Sequence, residues 1–251
     1  NAPAVTVTRT AVGTSALLSP VVLLLTDSQW IFRDLVIGGI AGLCMSLGLV
    51  LLYRGYAVAR MGIVAPLSSV LLASVPVLWD VVNGVRPGAI AAAGMGVGVI
   101  AVVLTSYTPG GVGSVSAGIV LGLSSGVAFG TAFTMMGEVS DAAGLAPVIV
   151  QRWSALALLV VLGLFRSEPF IAQRPARLMA MIAGVLGLFA IGALQSAFQR
   201  GELGPVAVAS SQFATVAVVL SVVFNKERMR WWQGMGVGTT AVAVALIAAG
   251  G

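Results

Sequence analysis

Nine apolar stretches, each long enough to cross a bilayer, occupy almost all of this 251-residue chain. From the sequence they are 4–25, 35–55, 63–82, 88–107, 117–137, 145–165, 178–198, 205–224 and 231–249. A spanning helix needs about 20 such residues. The runs are continuous rather than alternating, which disfavours membrane strands. In lipid every backbone group must find a partner inside its own segment, so the runs predict helices. The expected fold class is an all-α multi-pass membrane protein. Only 8% of the residues are charged, against roughly 25% in a soluble domain. A soluble fold could not cover its surface with so few, and the mean hydropathy of +1.06 agrees. The lipid bilayer is therefore an expected partner.

Net charge is +5, which in a soluble protein would suggest nucleic acid. Here the basic residues fall in short inter-span loops, the positive-inside pattern, and no nucleic-acid partner is expected. The lone Cys44 lies inside a span, which excludes an intrachain disulfide and any Cys-rich metal site. There is no His, hence neither the commonest metal ligand nor the usual proton shuttle near neutral pH. No metal and no cofactor are expected. No basic segment leads into a short apolar stretch and small-residue cleavage site, so no cleavable signal peptide is expected.

One pentapeptide occurs twice. Gly94-Met95-Gly96-Val97-Gly98 returns as Gly234-Met235-Gly236-Val237-Gly238, 140 residues on. Ser68-Ser69 matches Ser210-Ser211 and Asn83 matches Asn225, both at 142, while Arg60 matches Arg200 at 140 and Arg9 matches Arg152 at 143. Matches at nearly one spacing, with span boundaries in step, indicate an internal duplication. Two repeats are expected, 1–107 and 117–251. The second holds five spans and the first four, and the chain begins with Asn1. A first helix is accordingly expected to be missing from a parent of five plus five. An odd number of spans per repeat forces opposite orientations, giving an inverted repeat, and such proteins are mostly transporters with a site between the halves.

Between 53 and 104 the order is Tyr53-Arg54-Gly55-Tyr56-Ala57, Ala65-Pro66 opening a helix, Pro76, a short loop, then the Gly-rich helix around Gly94–Gly98. Residues 194–246 repeat that layout with Gly204-Pro205 and Gly234–Gly238. This resembles the drug/metabolite transporter superfamily, EamA type, over essentially the whole chain. The resemblance implies ten helices in the cell inner (plasma) membrane and export of amino acids, related metabolites or toxic compounds. Two features depart from it. The first helix is absent, and the loop glutamate usual before the Gly-rich helix is kept as Glu227 but replaced by Arg86-Pro87 in the first half. Orientation is a conflict. One side of the membrane collects eight basic residues, Arg54, Arg60, Arg166, Arg174, Arg177, Lys226, Arg228 and Arg230, and the other collects three, Arg33, Arg86 and Arg200. The charge rule then places the C-terminus outside, whereas the resemblance implies a cytoplasmic C-terminus.

Gly94, Gly96, Gly98, Gly234, Gly236 and Gly238 are expected on packing faces, because small residues let helices in lipid approach closely. Arg9 and Arg152 lie inside spans, where a charge is expensive and faces a partner, a cavity or the headgroups. A substrate carboxylate or phosphate is one such partner. Gln212 sits mid-span and must find a hydrogen bond. Tyr53, Ser69, Thr131 and Gln195 complete the candidates for a polar substrate cavity, although a serine also satisfies itself on the preceding turn. Trp79, Trp153, Trp231 and Trp232 read as interface anchors.

No visible span carries a central carboxylate; Asp80 and Glu138 lie at span ends. The related small multidrug transporters use a central glutamate in their first helix, and the equivalent helix here, 117–137, offers only Ser, Thr and Met. Proton/cation antiport is thereby disfavoured, while facilitated export and coupling through Asp80 or Glu138 stay open. An intramembrane enzyme is disfavoured too, for want of His ligands or a base beside a serine. The expected function is a small-metabolite exporter working by alternating access. A lipid or lipid-linked-sugar flippase of the same fold is the alternative, and a channel is less expected, with no filter motif visible. Monomer and homodimer are equally open.

Overall fold

The computed structural model describes residues 4–59, 61–106, 114–165, 169–174, 176–212, 216 and 230–250. These residues are almost wholly helical: α1 Ala4–Leu18, α2 Phe32–Val58, α3 Met61–Val82, α4 Ala89–Ser106, α5 Val115–Gly137, α6 Ala146–Leu164, α7 Ala176–Arg200, α8 Leu203–Ser211 and α9 Trp231–Gly250. The expected all-α membrane fold is what forms. Five helical segments are long and apolar enough to span a bilayer: Val5–Leu24, Phe32–Val58, Val115–Gly137, Ala146–Leu164 and Ala176–Arg200. Leu17, Leu43, Val120 and Leu186 stand exposed along these helices. In water so much exposed apolar surface would aggregate; here it is the face turned to lipid.

Sequence boundaries and helix ends agree closely, with two instructive differences. Span 4–25 is α-helical only to Leu18 and continues as a 3₁₀ turn, Ser19–Leu24, with Pro20 in its first turn. Proline has no N–H to give to the α-helical ladder. Helix α2 begins at Phe32 and ends at Val58, beyond the expected 35–55 at both ends. Asp34 in its first turn is favoured at the positive end of a helix dipole. Span 205–224 is described only through Gln212 and at Val216, and the remainder lies outside the described residues.

Packing divides the chain into two units, Asn1–Val50 with Met135–Arg200, and Leu51–Thr134 with Gly201–Gly251. Each draws on both sequence halves, so the packing units and the sequence repeats are different partitions of the chain.

In the first unit α1 runs antiparallel to α6: Arg9 lies against Gly163, Gly13 against Leu156, and Val22 clusters with Val148 and Ile149. Leu145 and Leu188 complete that cluster. Helix α2 meets α6 through Gly38, Gly42 and Ser46, which oppose Pro147, Gln151 and Ala155. Both series advance by four residues, one turn of helix, so the stripes stay in register. A methyl on Gly38 would lie 2.9 Å from Pro147 Cβ, and the hydroxyl of Ser154 donates to Gly39 O at 2.8 Å.

The second unit repeats this device. Gly122, Gly126 and Gly130 of α5 press onto α3 at Val64, Ser68–Leu71 and Val75. The hydroxyls of Ser68 and Ser125 share a hydrogen bond of 3.1 Å across the seam. Helices α4 and α9 run antiparallel, Gly94 against Leu246 and Ile247, Gly98 against Ala243. Ala73, Met95, Val208 and Ile247 form the unit's core.

The six glycines of the repeated pentapeptide have unequal surroundings. Gly94 and Gly98 sit in close contacts, whereas a methyl on Gly96 or Gly238 would meet nothing within 4 Å. Gly234 is exposed and Gly236 buried. Gly96→Ala and Gly238→Ala are therefore expected to leave thermal stability unchanged or raise it slightly, since alanine suits a helix interior better by about 0.5–1 kcal/mol. Gly94→Ala, with its methyl 2.9 Å from Ile247 N, is expected to lower it. Melting curves of the detergent-purified variants check the contrast.

Candidate functional site

The first unit buries a polar cluster at the start of α6. Met136, at the end of α5, is its hub. The amide nitrogen of Gln151 donates to Met136 Sδ at 3.2 Å, and that of Gln195, on α7, donates to Met136 O at 3.0 Å. Four residues on, Gln199 donates to Ser140 O at 3.2 Å and to Gly144 O at 2.9 Å. One face of α7 thus holds the end of α5 and the α5–α6 connection by two glutamines. Gly144 needs its left-handed φ of 52° at that connection, and Leu145 N–H donates to Ser28 Oγ at 3.0 Å beside it. Asp34, buried, accepts from the Ser140 hydroxyl and pairs with the exposed Arg33 at 3.4 Å.

Arg152 follows Gln151 on α6 and is only 7% exposed. Its Nε and Nη2 have no hydrogen-bond partner, and neither has Gln151 Oε1. A buried polar group without a partner forfeits its hydration for nothing, about 1–3 kcal/mol and more when charged. Most buried polar groups are satisfied, and among the described residues of this unit the other exceptions are Arg9 Nη1 and Ser15 Oγ; only at Gln151–Arg152 do orphan donors and an orphan acceptor sit on adjacent residues. Chemically the guanidinium is a donor fork suited to a carboxylate or phosphate.

The other candidates have definite placements. Arg9, 2% exposed, donates from Nε to Phe170 O at 3.0 Å and from Nη2 to Pro169 O. Its guanidinium carbon lies 4.6 Å from the Phe170 ring centroid, a cation–π contact. Thr6 donates to Pro169 O at 3.1 Å, and Ala172 N–H donates to Thr10 Oγ1 at 2.9 Å. Thr6, Arg9 and Thr10 share one face of α1, and together they fasten the α6–α7 connection. Arg9 and Arg152 thus stand at opposite ends of α6, because Arg9 abuts Gly163, eleven residues or about 16 Å along the helix from Arg152.

Tyr53, Ser69, Thr131 and Gln212 belong to the second unit. Gln212 Nε2 donates to Gly98 O at 3.2 Å, and Gln212 Oε1 accepts from Thr240 at 3.2 Å. It ties α4, α8 and α9 together, and its amide is spent on protein groups. Ser69 is buried, Thr131 half-buried, and Tyr53, 36% exposed, meets the Tyr56 ring at 53° with 6.4 Å between centroids.

Two functional features escaped the sequence reading. Gln151 carries no sequence signal of its own beyond lying next to Arg152. Asp80, near the end of its span, is buried and accepts Gly204 N–H at 2.6 Å, at the N-terminus of α8. A carboxylate there satisfies an orphan donor and the helix dipole together. Asp80→Ala is expected to cost about 1.5–3 kcal/mol, the worth of a hydrogen bond to a charged group, seen as a lower melting temperature.

Known proteins agree with this architecture. One solved structure, described only as the crystal structure of a protein, superposes with a TM-score of 0.76 over 98% of this chain and 89% of its own. At 14% identity that likeness is one of fold. No curated protein matches the sequence. The EamA-like transporter family matches over residues 116–249, more than half of the chain. That family consists of membrane transporters rather than enzymes. With its apolar spans, its buried polar cluster and that match, the chain belongs to the EamA-like transporter family.

Proposed function

We propose that this transporter exports small polar metabolites, amino acids or related compounds, across the cell inner membrane. The observation carrying this reading is the buried Arg152, with Nε and Nη2 unpartnered beside the unpartnered Oε1 of Gln151. An α-carboxylate would supply the acceptors the guanidinium lacks, and an α-ammonium the donor Gln151 lacks. An ionisable group within a span marks a functional site by default. The transport cycle we propose is alternating access of two inverted repeats, 1–107 and 117–251, supported by the duplicated pentapeptide. Apolar walls around few polar groups suit a site tolerant of varied side chains.

Direction is tested in cells preloaded with radiolabelled amino acids. Cells making the wild-type chain are expected to lose label faster than cells making Arg152→Met. Equal loss from both, at equal protein levels, would overturn the reading.

A further inference from the structure

On the first unit a groove of about 530 Å³ opens between α1, α6 and α7, away from the Gln151–Gln195 cluster. Its lining is graded. Arg9, Phe170, Ile171 and Arg177 stand at the end formed by the α6–α7 connection, and Leu17 and Leu156 stand further in. Along α1, Arg9 and Leu17 are eight residues, about 12 Å, apart. A second hollow of about 390 Å³ shares Arg177 and Met181 with the groove and is lined also by Arg174 and Leu178.

Three observations say what covers it. The groove wall is apolar, and Leu17 at its inner end is 69% exposed, so it opens to the hydrocarbon. Among the described residues, no carboxylate lines either hollow. Among the described residues, neither Arg174 nor Arg177 makes an ion pair. Arginines at the membrane interface above an apolar channel match one molecule that every bilayer supplies: phosphate above, acyl chain below. The start of α7 at Ala176 adds the positive end of its dipole.

We propose that this groove is a binding site for an anionic phospholipid, with its phosphate on Arg177 and Arg174 and one acyl chain along Leu17, Leu156 and Val160. Arg9 serves a different purpose there. Its Nε and Nη2 hold the connection that shapes the cationic end. The site is separate from the proposed substrate cluster and stands or falls independently of it.

Native mass spectrometry of the detergent-purified chain tests this. Phosphatidylglycerol and phosphatidylcholine with identical chains are titrated against wild type, an Arg174→Gln/Arg177→Gln double variant, and Val160→Trp, which fills the channel. Arg174 is exposed and Arg177 half-buried, and melting curves verify that each variant is folded. Wild type is expected to retain phosphatidylglycerol on the order of tenfold more tightly than phosphatidylcholine. The double variant should lose that preference, and Val160→Trp should weaken both lipids. Equal retention of the two lipids by wild type, or a preference that survives in the double variant, would overturn the proposal.

Discussion

Gly126→Val should leave little folded protein after detergent extraction. A Cβ at Gly126 would lie 2.7 Å from Leu71 Cβ, 2.7 Å from the Ser68 carbonyl oxygen and 3.0 Å from Ser68 Cα. Two of those atoms are backbone, so no rotamer change relieves the clash. Helix α3 itself must move. That movement breaks the Ser68–Ser125 hydrogen bond and unseats Gly122 and Gly130 in the same stripe. Overpacking a tight site costs about 1–3 kcal/mol where side chains alone adjust. A rigid backbone on the far side puts this variant at or above the top of that range, against a total stability of only about 5–15 kcal/mol. Gly187→Ala is the control, because a methyl there meets nothing within 4 Å. Size-exclusion profiles should show Gly126→Val aggregated and Gly187→Ala like wild type. A monodisperse Gly126→Val with an unchanged melting temperature would contradict the packing described for α3 and α5.

Arg152→Met should separate stability from activity. The guanidinium is buried with two nitrogens unpartnered, so replacing it by an apolar chain of similar length removes a desolvation cost and few interactions. Replacing buried charges with well-packed apolar groups is often neutral or stabilising by 1–4 kcal/mol. The expected result is a melting temperature at or above wild type, together with at least a tenfold loss of flux for zwitterionic and anionic substrates, about 1.4 kcal/mol in transition-state terms. Arg152→Lys should restore a part of the flux, because an ammonium keeps the charge but not the planar donor fork. A sharp fall in stability would assign Arg152 to the fold. Undiminished flux would remove it from the substrate site.

The helices were legible because lipid leaves so few options: length and hydropathy placed nine spans, and the described helices start and stop close to those limits. Pro20, which ends α1 early, was visible in the sequence but hidden within an apolar run. The packing stripes Gly38-Gly42-Ser46 and Gly122-Gly126-Gly130 were also there to be read at a spacing of four. They were lost among 32 glycines, of which Gly84, Gly96, Gly187 and Gly238 have open space where a methyl would go. The repeated pentapeptide drew attention to glycines 94 to 98 instead, because sequence repetition reports ancestry and says nothing of which side a residue faces.

The polar residues show the other limit. That Arg9, Gln195 and Gln212 needed partners followed from burial alone. That those partners were the carbonyls of Phe170, Met136 and Gly98 did not, since the pairs lie 161, 59 and 114 residues apart. The same blindness left Asp80 unassigned, although Gly204-Pro205 already announced the start of a helix. Arg152 emerged from its position in a span, and its missing partners needed coordinates.

Solute flux through the purified chain in liposomes tests the central claim most directly. Proteoliposomes preloaded with labelled amino acids, nucleosides and cationic dyes, and containing a trace of fluorescent phospholipid, are diluted with and without a pH gradient. The account predicts selective release of one solute class, amino acids first, and no accelerated scrambling of the lipid. Retention of every solute, with the labelled lipid crossing between leaflets, would contradict it and make the chain a flippase.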